Sequence, residues 1–268
     1  MATLQKTFDC DHPVALITGS GAPRVGRVVA EHLAKAGCNI ALHANHSIEG
    51  AEETAKRFRD QFDCQTIVTR GSLEDDSVPE RLVSETQQHF GRIDIVVNSA
   101  AIWHPTPLNQ ITPDEMRRYF DINTLATFLL ARAAGSFMAT QPCGGTIVNL
   151  GDWATVRPYL DHAAYFPSKG GVEVLTKSLA IELAQLNKQI RVNCIQPGPV
   201  LLTNDVSDDE ANQLARTTLV GRIGTPEDVA HAVRFLCENS FVTGICLPVD
   251  GGRTIFAPDG MQVGMNTG

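Results

Sequence analysis

Short runs of consecutive apolar residues alternate along this chain with longer stretches whose apolar residues recur every three to four positions. The first pattern suits a strand covered on both faces, and the second suits a helix covered on one. Strands are predicted at 14–18, 39–43, 66–69, 93–98, 146–150, 190–195 and 245–249. Helices are predicted at 25–36, 49–62, 78–90, 163–186 and 226–237, and a further one begins at Thr112-Pro113-Asp114-Glu115. That start combines a capping threonine, a first-turn proline and two acids at the positive end of the helix dipole. Gly37 and Gly91 stand where a left-handed residue ends a helix.

Alternation of this kind over the whole length predicts a parallel sheet with right-handed crossovers. The expected fold is a single-domain, Rossmann-type α/β structure: a doubly wound parallel sheet of about seven strands with helices on both faces. No break in composition divides residues 1–268. Residues 1–12 and 256–268 are expected to be flexible or interface tails. Segment 199–222 interrupts the alternation. It follows Pro197-Gly198-Pro199 and contains Ser207-Asp208-Asp209-Glu210. A flap over a substrate cleft is expected there, with a pair of surface helices as the plainer alternative.

Composition adds exclusions. Hydrophobic residues make up 43% and charged residues 19%, an ordinary globular balance. A net charge of −8 repels nucleic acid and anionic membranes. No apolar run reaches a membrane span, and the first residues carry no signal-peptide pattern. The seven cysteines are scattered, without a Cys-x-x-Cys or Cys/His cluster. A reduced cytoplasmic protein with no metal site is expected.

Two constellations carry chemistry. After the first strand comes Thr18-Gly19-Ser20-Gly21-Ala22-Pro23-Arg24-Val25-Gly26. Glycines at a strand-to-helix turn let backbone amides approach a diphosphate at the helix N-terminus, and Arg24 is a natural anion contact. The second strand ends His43-Ala44-Asn45-His46-Ser47, with no acid before Glu49. A carboxylate there would hold a free ribose 2′-hydroxyl and repel a 2′-phosphate, so NADP is preferred to NAD. In the second constellation, Tyr165 and Lys169 lie one helical turn apart on one face. A lysine ammonium beside a phenol is expected to lower the phenol's pKa and fit it for proton transfer. Asp152 stands thirteen residues before Tyr165 and offers a second proton-handling group.

With these residues in view, the chain resembles the short-chain dehydrogenase/reductase family over nearly its full length. The motifs are the glycine-rich turn, Asn98-Ser99-Ala100-Ala101, Asn123, Tyr165/Lys169, Pro197-Gly198-Pro199-Val200, and Phe241-Val242-Thr243-Gly244 with Asp250-Gly251-Gly252. Within the family it is most similar to pteridine and dihydromonapterin reductases. Arg24 precedes Val25-Gly26 where most members have glycine, and Leu42-His43-x-x-x-Ser47 follows the subgroup's pattern for the NADP phosphate. Trp103 falls where that subgroup sets an aromatic against the pterin, and Asp152 replaces the usual serine. The turn is one residue longer than the family spacing, Asn45-His46 replaces a more basic pair, and Ala101 replaces a serine.

The resemblance implies roles for matching residues. Gly19, Gly26, Asn98, Ser99 and Ala100 would line the cofactor. Ser72-Leu73, in place of Asp-Leu, would meet the adenine. Lys169 would also hold the nicotinamide ribose, and Pro197, Gly198 and Val200 would contact the nicotinamide. Asn123 would support Lys169 through water. Trp103, Arg24, Asp152 and Tyr165 would bind the substrate. The implied reaction is NADPH-dependent reduction of a pterin C=N bond by a homotetramer. Reduction of a ketone or 3-oxoacyl thioester is the alternative within the family, and a non-catalytic dinucleotide sensor is the alternative outside enzymes.

Overall fold

A computed structural model describes residues 3–200 and 207–256. Its elements are helix α1 (Thr3–Phe8), strand β1 (Val14–Ile17), α2 (Val25–Lys35), β2 (Asn39–Ala44), α3 (Ile48–Gln61), β3 (Thr66–Arg70), α4 (Val78–Phe90) and β4 (Ile95–Asn98). Then come α5 (Pro113–Phe120), α6 (Ala126–Met138), β5 (Gly145–Leu150), α7 (Tyr165–Leu186), β6 (Ile190–Pro197), α8 (Asp208–Ala215), α9 (Pro226–Glu238) and β7 (Cys246–Val249). The seven strands form one parallel sheet in the order β3-β2-β1-β4-β5-β6-β7. Each predicted strand and helix is present within two residues of its expected bounds, because strands buried on both faces read as uninterrupted apolar runs.

Two apolar layers sandwich the sheet. One gathers Ile17, Val29, Leu33, Leu42 and Phe58 with Val233 and Leu236, under α2 and α9. The other gathers Leu16, Leu82, Val96, Leu130, Ile147, Leu179 and Leu183, under α4, α6 and α7. At the N-terminal rim the buried Asp94 accepts from the Val14 amide at 2.8 Å and pairs with Arg92 at 2.8 Å. Arg92 also donates to the Phe8 carbonyl at 2.9 Å. One carboxylate therefore fastens β1, β4 and the end of α1.

That fastening corrects the expectation of a loose tail at the N-terminus. Residues 3–8 are helical, and Leu4 and Phe8 are fully buried in the first layer. The six-residue helix carries only two apolar positions four apart, too short a pattern to stand out in sequence. In segment 199–222, Ser207 and Glu210 form a capping box that starts the exposed helix α8. The rest of the expected flap at 201–206 and of the second tail at 257–268 lies outside the described residues. Among the described residues no helix is long and apolar enough to cross a membrane.

Candidate active site

Parallel strands send every C-terminal end to the same rim, where the loops build a cleft of about 390 Å³. At one end the turn after β1 meets the start of α2. A Cβ on Gly19 would sit 2.9 Å from the Ala100 Cα, and one on Gly21 2.6 Å from the Ala44 Cβ. Only glycine fits, so the floor stays at backbone level. No side chain caps α2, which leaves its first amides facing the cleft end. An anionic dinucleotide fits this arrangement. Arg24, Val25, Asn45, His46, Ser47, Ser99 and Ala100 line the cleft as expected. The Arg24 guanidinium forms no ion pair among the described residues.

His43 takes a different part. It is buried, its Nδ1 accepts the Gly19 amide at 3.3 Å, and its Nε2 meets the Gly71 carbonyl at 3.0 Å. Burial lowers its pKa. A neutral imidazole with both nitrogens committed fixes the glycine turn and has no donor for a phosphate. Asn98 is likewise committed: it donates to Asn149 at 2.8 Å, and Asn149 donates to Thr176 at 2.9 Å. Asn98, Ser72 and Leu73 lie outside the cleft walls. Gly26 is packed under the Gly19 carbonyl, where a Cβ would come within 2.8 Å. Val200 faces a neighbouring cavity instead, and Pro197 and Gly198 complete the cleft wall.

The reaction end is assembled by β5, the turn after it, and α7. Tyr165 donates to Asp152 Oδ2 at 2.7 Å, and Asp152 Oδ1 accepts the Ala154 amide at 2.8 Å. That second bond caps a single 3₁₀ turn, 153–155, and fixes the carboxylate. Burial raises the Asp152 pKa, opposed by the Ala154 amide, the Tyr165 hydroxyl, Lys169 and His162 in that order. Tyr165 is raised well above a free phenol by burial, and then by the charge and hydrogen bond of Asp152. The expected lowering by Lys169 is not found. Lys169 spends its Nζ on the Leu150 carbonyl at 2.7 Å, and burial lowers its own pKa. The phenol is thus held protonated against a carboxyl group whose proton affinity is above normal.

Asn123 lies in one wide helical turn, 121–125, between α5 and α6. Its amide accepts the Ile102 amide at 2.9 Å and donates to the Ser168 hydroxyl at 3.0 Å and the Ile102 carbonyl at 3.2 Å. It makes no direct bond to Lys169. Its partners tie the loop after β4 to α7, one residue from Lys169. The sequence did not single out Ser168 for this.

Trp103, on that loop, lines the cleft. Its ring stacks on His162 with centroids 4.8 Å apart and an angle of 27°, and its Nε1 donates to the Tyr159 hydroxyl at 3.3 Å. The expected aromatic wall is present, but it leans on a second layer of rings. Tyr159 escaped the sequence reading, although its place between a strand end and a helix is where binding residues gather. His162, just before α7, carries the tryptophan. His104 is held by backbone: its amide donates to the Tyr119 hydroxyl at 2.9 Å.

Residues 22–254 match the family model described as enoyl-(acyl carrier protein) reductase. The chain is 32% identical over 247 residues to the granaticin polyketide synthase putative ketoacyl reductase 2 of Streptomyces violaceoruber, covering 90% of this chain and 95% of the relative. It is 31% identical over 262 residues to the 3beta-hydroxysteroid dehydrogenase 1 of Eggerthella lenta, covering 96% and 98%. A glucose 1-dehydrogenase 2 of Bacillus subtilis is 29% identical over 255 residues, covering 92% and 97%.

Proposed function

Since this chain belongs to the short-chain dehydrogenase/reductase family of NAD(P)-dependent oxidoreductases, we propose that it reduces a C=N bond of a pterin-like ring with NADPH. The observation that carries this reading is the 2.7 Å bond between Tyr165 and Asp152. Reduction of either a carbonyl or a ring C=N takes one hydride and one proton, and Tyr165 is placed to give that proton. A carboxyl group of raised pKa beside the phenol can return it, and can also hydrogen-bond the N–H groups of a ring rich in nitrogen, which a plain ketone lacks.

A dinucleotide held along the glycine turn, Arg24 and Pro197-Gly198 would supply the hydride. Tyr165 donates its proton to the ring nitrogen as negative charge builds there. Asp152, when protonated, passes its proton to the phenolic oxygen. Lys169 and the Ala154 amide stabilise the negative charge left behind. Trp103 covers one face of a flat ring, where offset stacking is worth about 0.5–1.5 kcal/mol beyond area burial. NADP is favoured by the lack of an acid at the end of β2 and by the unpaired Arg24 nearby.

A second reading, reduction of a ketone or thioester carbonyl, is favoured by the names of the relatives, a ketoacyl reductase and a hydroxysteroid dehydrogenase. NADPH oxidation with dihydropterins beside a panel of ketones and 3-oxoacyl thioesters separates the two. Turnover of ketones alone would remove the pterin. We also propose a homotetramer in a reducing cytoplasm. Exposed Val174 and Ile181 on α7, and Phe235, Phe241 and Ile245 near β7, supply apolar faces for two kinds of contact. Light scattering that returns a monomer removes the assembly.

A further inference from the structure

A separate cavity of about 370 Å³ lies beside the 3₁₀ turn that Asp152 caps, walled by Trp153, Arg157, Tyr159, Arg253 and Phe256. It adjoins the reaction end: Trp153 follows Asp152 in the chain, and the Tyr159 hydroxyl accepts the Trp103 indole N–H at 3.3 Å. The Arg253 guanidinium lies over the Trp153 ring, 4.4 Å from its centroid. A guanidinium stacked on indole keeps its N–H edges free for an acceptor in its own plane. Among the described residues those edges meet no acceptor and no carboxylate.

The two carboxylates that act on Arg253 electrostatically are Asp250 and Asp152, and both are already committed. Asp250 accepts the Gly252 amide at 3.0 Å and the Thr254 amide at 2.6 Å. Asp152 holds Ala154 and Tyr165. Arg157 brings a second positive charge. It donates to the carbonyls of Arg253, at 2.9 Å, and Phe256, and forms no ion pair among the described residues. Arg253 is half-buried, Arg157 is exposed beside it, and among the described residues no carboxylate is bonded to either guanidinium, so an entering anion would find both charges open to it.

We propose that this cavity is an anion subsite. Arg253, supported by Arg157, receives a carboxylate or phosphate carried on a tail of the substrate whose reacting atom lies at Tyr165 and Asp152. The proposal rests on the reading of Tyr165 and Asp152 as the reaction centre, and it holds for a pterin or a carbonyl substrate. A carboxylate would come from an amino-acid tail on a ring, and a phosphate from a thioester carrier. The Trp153 and Tyr159 rings flank the stem that joins tail to reacting group.

The test compares two substrate pairs, each differing chiefly in the acidic tail: dihydropterins with a neutral side chain or an aroylglutamate, and 3-oxoacyl thioesters of N-acetylcysteamine or coenzyme A. In the pair the enzyme accepts, the acidic member should have a kcat/KM advantage of about 10- to 100-fold, the worth of a charge-assisted hydrogen bond. Arg253→Gln should abolish that advantage and leave the neutral member unchanged. Arg253→Lys, which keeps charge but loses the planar fork, should restore part of it. An arginine-dependent preference in the thioester pair alone keeps the subsite, assigns it a phosphate and removes the pterin. Equal turnover of neutral and acidic members by the wild-type enzyme, or an advantage that survives Arg253→Gln, overturns the subsite and leaves the ring chemistry standing. A thermal melt of each variant shows that the folded enzyme is being compared.

Discussion

At the scale of single residues, Asp152 has two opposing effects. Its raised pKa is the signature of a carboxyl group held where its charge is unwelcome. A folded-state pKa above the unfolded one means that the group favours the fold most at low pH. That contribution is lost as pH rises from the ordinary carboxylate range through the raised value. Asp152→Asn, which keeps an oxygen for the Ala154 amide, should therefore melt higher than wild type at pH 8, with the difference shrinking toward pH 4. A variant that melts lower at pH 8 would show that the carboxylate's bonds outweigh its desolvation. The same carboxyl group is needed for turnover. Asp152→Ser should lower kcat for the accepted substrate by about 10²–10⁴, the usual reach of general acid–base catalysis, with dinucleotide affinity retained. Tyr165→Phe should be nearly inactive, and substantial turnover by it would discard the proton relay. His43 shows where residue type misleads. A histidine at the end of β2 reads as a phosphate contact, but its burial and its two backbone partners depend on Gly19 and Gly71, which the chain brings from either side only on folding.

At the scale of elements, the wide turn at 121–125 does most to assemble the site. It lets α5 run on into α6 with Asn123 directed at both the Trp103 loop and α7. Asn123→Ala would leave the Ile102 amide without its acceptor, at a cost of about 1–3 kcal/mol in stability by urea unfolding. It should also raise KM more than it lowers kcat, because the loop positions substrate. A fall in kcat alone would place Asn123 in the proton path instead. The sequence shows the start of α5 through its cap and proline, but not the join to α6. No proline or glycine marks that point, no side chain caps the start of α6, and Ala126–Met138 is mostly apolar. The strands, in contrast, were legible throughout. So was the Tyr165/Lys169 pair, whose geometry follows from helical spacing alone. The partners of those residues were not, because Ser168, Tyr159 and His162 gain their roles from loops that meet only in three dimensions.

For the whole molecule, the sheet is held firmly at one rim and open at the other. Leu4 and Phe8 seal the first apolar layer, and Arg92 with Asp94 locks the helix end to β1 and β4. Phe8→Ala should therefore destabilise the protein by about 3–5 kcal/mol, as large-to-small changes in a packed core do. A loss below 1 kcal/mol would mean that α1 is peripheral. Pairing of residues eighty apart, as between Val14 and Asp94, is invisible to periodicity. A reading of the first twelve residues as a tail was the natural result.

The common direction of the seven strands also separates chemistry from handling. Everything reactive emerges at one rim, while the turn before β5, with half-exposed Cys143, lies at the other. Maleimide coupling through that thiol would hang the enzyme on a solid support with its mouth turned toward the solution, free to admit substrate.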